Sequence, residues 1–208
     1  MVSDNNNINM NNQITNDNDK KNFYKPSKSH PWTKRFIIAA IVQGAIMVAL
    51  TVFLVISQIS FLTPEISRVI SSGGAGTWFT FGYIMYIVVG VIGVAVSAIF
   101  YFYLETVLHK QYNTSKIRKV LAWSHLIIMN IATVAAMAML MYGGYVGGAA
   151  ALPTDVGGNG FNPGQVHEIL APFVEPIALS ILALIAGVIL GGLGFLLTYR
   201  SPSTVRSK

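Results

Sequence analysis

The sequence predicts an all-α integral membrane protein: a four-helix transmembrane bundle with both termini in the cytoplasm. Three observations lead there. Apolar residues make up 53% of the 208-residue chain and charged residues only 11%, with a mean hydropathy of +0.56; soluble domains carry about 25% charged residues. The apolar residues gather into four runs long enough to cross a bilayer. The basic residues fall on alternate connections between those runs, the charge pattern of a multi-pass chain.

Residues 1–30 form an Asn-rich tail, with nine Asn in the first 22 positions. Its apolar residues are too few to offset the entropy of ordering it, so it is expected to be disordered. It lacks the basic start and apolar run of a secretory signal peptide, so it is expected to stay attached as a cytoplasmic extension. The membrane domain, residues 31–200, holds spans at about 36–62, 78–103, 120–142 and 173–199. At 1.5 Å per residue, each covers roughly 30 Å of hydrocarbon with some tilt. Interior Gly and Thr suit bilayer helices, and the runs lack the alternation of barrel strands. Residues 201–208 form a short cytoplasmic tail.

Orientation follows from Lys and Arg. Lys20, Lys21, Lys25, Lys28, Lys34 and Arg35 precede span one; Lys110, Lys116, Arg118 and Lys119 join spans two and three; Arg200, Arg206 and Lys208 follow span four. Thirteen of the fourteen basic residues therefore share one side, with Arg68 opposite. The positive-inside rule makes that side cytoplasmic, and the expected host is the plasma membrane. Trp32, Tyr101, Tyr103, Trp123 and Tyr199 sit at the inner ends, and Trp78, Tyr142, Tyr145 and Phe173 at the outer ends, as aromatic belts do. Of the two outer connections, the first (63–77) predicts a short interfacial helix opened by Pro64 and a flexible turn at Ser71-Ser72-Gly73-Gly74-Ala75-Gly76. The second, 143–172, reads as a long Gly-rich loop containing Asn162-Pro163-Gly164, of a length that is either functional or disordered.

Composition excludes several chemistries. With no Cys, disulfides, iron–sulfur clusters, thiolate zinc, c-type haem attachment and Cys nucleophiles are ruled out. The net charge of +6 flanks the apolar runs instead of forming a groove-binding face, so the expected partner is the lipid bilayer and no nucleic acid. No phosphate-cradling loop, serine triad or paired-carboxylate site is present, and no catalytic residue or metal site is expected.

Small residues recur at helical spacing. Span two carries Gly82, Tyr86, Gly90, Gly93 and Ser97; span four carries Ala183, Gly187 and Gly191, with Gly192 and Gly194 beside them. Span one offers Ala40 and Gly44, and span three Ala132, Ala135 and Ala136. Such faces let helix backbones approach closely. They read first as internal packing, and their surplus suggests self-association or docking onto other membrane subunits.

His125 is the one ionisable side chain placed well inside a span, which makes it a candidate for function. Met129 lies one turn on, along the same face as Ala132 and Ala136. The bland reading is a packing or boundary residue; the sharper ones are a haem or metal ligand, with Met129 beside it, or a proton carrier. His30, His109 and His167 lie outside the spans and do not complete a bis-histidine site; two copies of His125 across a dimer axis would be needed. Asp155, His167, Glu168 and Glu175 match no metal spacing and read as a solvated acidic loop. Met129, Met137, Met139 and Met141 read as core filler. Glu65, Glu105 and Glu175 fall at span ends, so no ion path is apparent. Gln43 and Asn130, the main embedded amides, are expected to hydrogen-bond between helices.

The stretch Trp123-Ser124-His125-Leu126-Ile127-Ile128-Met129-Asn130, followed by Tyr142-Gly143-Gly144, resembles the helix of haem–copper (cytochrome c) oxidase subunit I that opens with a haem-ligating His. The chain also looks like small four-span membrane proteins of archaeal respiratory gene sets. Only His125 carries over: the family's second haem ligand and its copper-ligating histidines have no counterparts, its subunit has many more spans, and its ligand helix enters from the opposite face. The resemblance therefore implies association with respiratory membranes. The expectation is a non-catalytic membrane subunit or assembly partner of a larger respiratory, oxidase-like complex. The alternatives are a haem- or quinone-binding redox membrane protein using His125, and a small transporter or channel.

Overall fold

The computed structural model describes residues 30–60, 63–110 and 115–201. The Asn-rich tail before His30 and the residues after Ser201 lie outside that set. Among the described residues there is no strand, and four helices are long and apolar enough to cross a membrane. This is a multi-pass helical membrane protein.

Helix α1 spans Pro31–Ser60 and α2 is the short helix Ile66–Ser71. Helix α3 runs Gly76–Val107, with π-helical turns at Tyr86–Gly93 and Tyr103–Val107. Helix α4 spans Lys116–Ala151 and α5 spans Pro163–Tyr199. Their lipid-facing residues are apolar and open: Ile41 is 66% exposed, Val48 65%, Ile131 65% and Leu182 61%. In water such faces would drive aggregation; in hydrocarbon they cost nothing.

The connection between α1 and α3 folds as a helix and a turn. Ile66 and Val69 of α2 are buried, so the helix packs its apolar face on the core. Gly73 and Gly74 follow it at φ +70 and +48, a backbone region where a Cβ is strained.

The connection between α4 and α5 departs from expectation. Helix α4 continues past Tyr142 to Ala151 and α5 begins ten residues before Phe173, leaving only 152–162 between them. The glycines read as loop residues are packing glycines. A Cβ on Gly144 would stand 2.1 Å from the Phe79 nitrogen, one on Gly147 2.9 Å from Ala75 and Leu170, and one on Gly148 2.6 Å from Val69. Glycine here is required because α2, α3 and α5 all press against α4 at nearly backbone distance. Asn162-Pro163-Gly164 is a helix start: Gln165 N donates to Asn162 Oδ1 at 3.1 Å, Asn162 N donates to Gln165 Oε1 at 3.0 Å, and Pro163 opens the first turn. Pro172 and Pro176 lie within α5, on a largely exposed stretch. At 37 residues, α5 is about 55 Å long, well beyond the roughly 30 Å of hydrocarbon.

The helices pack in sequence order. Helix α1 lies on α3, α3 on α4, and α4 on α5, with α1 touching α4 at fewer places. Helices α3 and α5 flank α4 and meet each other chiefly near the end of α3, at Tyr103–Val107 and at the Phe100–Phe195 ring pair, 5.6 Å between centroids. The start of α1, the end of α3, the start of α4 and the end of α5 share one end of the structure. Trp32 meets Trp123 edge-on at 5.5 Å, Arg118 donates to Ser201 Oγ at 2.9 Å, and Lys110 donates to the Tyr199 carbonyl. A cation on the last carbonyls of α5 also complements its dipole. That end carries Lys34, Arg35, Lys110, Lys116, Arg118, Lys119 and Arg200.

Candidate functional site: the cleft at His125

At the basic end, α1 begins at Pro31 with His30 standing where a capping Ser, Thr, Asp or Asn is usual. The cap comes from another helix. Glu105, 6% exposed, lies in the second π turn of α3. Its Oε1 accepts from Trp32 N at 3.2 Å, and its Oε2 accepts from Thr33 N at 3.1 Å and Thr33 Oγ1 at 2.8 Å. A buried carboxylate is stabilised by these donors and by the positive end of the α1 dipole. Sequence reasoning placed Glu105 at a span end and missed this role; the signal was an α1 start lacking a local cap. Beside it, the Arg35 guanidinium stacks over Trp32 at 4.5 Å and Trp123 at 4.7 Å, a paired cation–π contact.

Midway along the helices, the embedded amides form one chain. Tyr86 Oη donates to Gln43 Oε1 at 2.5 Å, Gln43 Nε2 donates to Asn130 Oδ1 at 2.8 Å, and Asn130 Nδ2 donates to the Leu126 carbonyl at 2.7 Å. This joins α3, α1 and α4 and satisfies polar groups that lipid would leave unpaired. Thr51 and Tyr83 add a 3.0 Å hydrogen bond between α1 and α3.

The small residues of α3 meet α4. A Cβ on Gly82 would lie 2.9 Å from Leu140 Cβ, one on Gly90 3.3 Å from Thr133, and one on Gly93 3.2 Å from Met129. Ser97 donates to the Gly93 carbonyl at 3.0 Å and lies 3.9 Å from the Met129 sulfur. On α5, Gly187 packs against the Met129 and Ile128 backbone and side chain, and Gly191 against His125. Ala183 does not join them: it is exposed, and the buried face runs Leu184, Gly187, Gly191, Gly194 and Thr198. The reason is helical drift. Each four-residue step overshoots a turn by about 40°, so Ala183 lies two such steps round from Gly191 while Leu184, at a three-residue step, stays on the seam.

His125 is 8% exposed and Met129 4%. The imidazole packs against Phe36 at 5.0 Å between ring centroids, and its Nδ1 lies 3.4 Å from Tyr101 Oη. A Cβ on Gly191 would stand 2.2 Å from Nδ1, so a glycine at that position is what lets the ring lie between α4 and α5. His125 and Met129 together floor a cleft of about 620 Å³ between α3 and α5, walled by Val88, Gly93, Ser97, Tyr101, Val188 and Gly192 among others. The cleft exists because α3 and α5 each press on α4 but meet one another only toward the end of α3, at Phe100 and Phe195 and beyond.

The other titratable groups do not join this site. His109, Asp155, His167, Glu168 and Glu175 are exposed, and among the described residues no three His, Asp or Glu side chains converge as a metal site would require. Met137 and Met141 are buried in the core against Gly82. Comparison of the chain with protein-family models, curated proteins and solved structures finds no match.

Proposed function

We propose that this protein is a non-catalytic subunit or assembly partner of a larger membrane complex of respiratory type, seated in the plasma membrane with both ends cytoplasmic. The observation that carries this reading is the use made of the buried polar groups. Glu105 caps α1, and Tyr86, Gln43 and Asn130 link α1, α3 and α4. They hold helices together instead of marking an ion path. Meanwhile α5 is anchored through α4 along most of its length, leaving wide apolar faces for further helices. The charge asymmetry between the two ends supports the orientation, and the resemblance around His125 supports the respiratory setting.

Purification from native membranes in a mild detergent should bring other membrane subunits with the chain. A monodisperse 22.5 kDa monomer free of partners contradicts the proposal. Orientation is tested separately. The chain contains no Cys, so single Ser201→Cys and Asp155→Cys variants should react with an impermeant maleimide from the cytoplasmic and outer sides respectively; the reverse pattern inverts the topology.

A further inference from the structure

The geometry points to the α3–α5 cleft as a binding site for a neutral, lipid-soluble ring bearing carbonyl acceptors and an apolar tail, the quinone class, with His125 Nε2–H as its hydrogen-bond donor. This stands apart from the assembly role, and either can fail without the other.

The first support is the state of the imidazole. His125 is more than nine-tenths buried and lines the cleft. Nδ1 stands 3.4 Å from Tyr101 Oη, and the described residues offer the other ring nitrogen, Nε2, no hydrogen bond; in the proposed tautomer Tyr101 Oη donates to Nδ1 and the ring proton resides on Nε2. Phe36 and Gly191 hold the ring in place. A polar ring nitrogen without a partner in hydrocarbon is costly, and a ligand carbonyl that reaches the proposed N–H from the cleft removes that cost.

The second support is the distribution of polarity. Of the lining side chains, Ser97, Tyr101 and His125 are polar and gather toward the basic end, while Val88 and Val188 line the far half. From Val88 to Tyr101 is about 20 Å along the helix, the shape of a ring with a chain. The rim residues Val88, Val96, Val188 and Leu196 are 45%, 41%, 50% and 51% exposed, so the cleft opens sideways to the bilayer, where such a ligand is dissolved.

The third is charge. No Lys or Arg lines the cleft. Ligands carrying carboxylates, such as a haem with its two propionates or a fatty acid, would find no counter-charge there, whereas a neutral carbonyl is matched by a single N–H.

The test uses the full-length protein in detergent micelles, with decylubiquinone as the probe and tryptophan quenching as the readout. Trp32 lies 6.2 Å from Tyr101 between ring centroids, close enough to report binding. Wild type should show saturable quenching beyond that of free indole in the same micelles. His125→Phe, which keeps the ring but removes the donor, should weaken it by about tenfold, the worth of one hydrogen bond in apolar surroundings. Gly192→Leu fills the cleft from a position where an added Cβ meets nothing within 4 Å. It should abolish binding while leaving the circular dichroism unchanged, which covers the case in which His125→Phe fails to fold. Absence of saturable quenching in wild type, or equal affinity in wild type and Gly192→Leu, overturns the proposal. So does displacement of the quinone by equimolar oleate, or a Soret band on adding hemin that decylubiquinone cannot displace.

Discussion

Between Gly143 and Gly148, α4 offers its neighbours almost bare backbone, and α2, α3 and α5 close on it; between His125 and Met129 it offers an imidazole and a thioether, and α3 and α5 stand apart above them. The same helix is thus clamped at one end and cleft at the other. In the clamp, added atoms have nowhere to go: the Phe79 nitrogen, Val69 and Ala75 stand within 3 Å of where a Cβ would be. In the cleft, a Cβ at Gly192 meets nothing within 4 Å. Small residues close a membrane interface only when the facing helix also presents backbone or a small side chain. Where one partner is large, the same glycines make a recess.

The clamp is the easiest part of this comparison to break. Gly148→Leu forces a side chain into Val69 and the Gly76 backbone and should destabilise the fold by about 3 kcal/mol; loss of the monodisperse peak on fluorescence-detected size exclusion reports it. Glu105→Ala strips the α1 start of its carboxylate and removes the acceptor that the Trp32 and Thr33 N–H groups share. About 2 kcal/mol is expected, read as a lower midpoint in SDS unfolding, with Glu105→Gln recovering part of the loss. Gln43→Leu cuts the chain from Tyr86 to Asn130 and should cost about 1 kcal/mol, within the range of interhelical hydrogen bonds in membranes.

The spans were legible in the sequence because hydropathy, length and basic flanks all report on the same solvent. The amide pair was legible too: Gln43 and Asn130 are too polar to face lipid, so they had to meet a partner. The end of α4 and the start of α5 were misjudged because Gly-rich sequence signals a turn in water and close packing in a bilayer, and residues 143–151 lie where the two readings compete. The Asn162-Pro163-x-Gln165 capping box was present in the sequence, and it marks the true start of α5. Ala183 was misplaced by a strict four-residue period that a helix does not keep. The Glu105 cap left one sequence signal, an α1 start without a local capping residue, and the cleft left none. Each depends on residues from separate helices, and on the π turns of α3 that reset which of its faces meets α1 and α4.

The contrast between clamp and cleft is tested most directly by one paired measurement: the thermal midpoints of Gly144→Leu and Gly192→Leu, the same substitution made at the Phe79 backbone and in the recess beside His125. The account predicts that Gly192→Leu melts with the parent protein, while Gly144→Leu loses its cooperative transition. Equal destabilisation of the two variants, or a greater loss in Gly192→Leu, would contradict it.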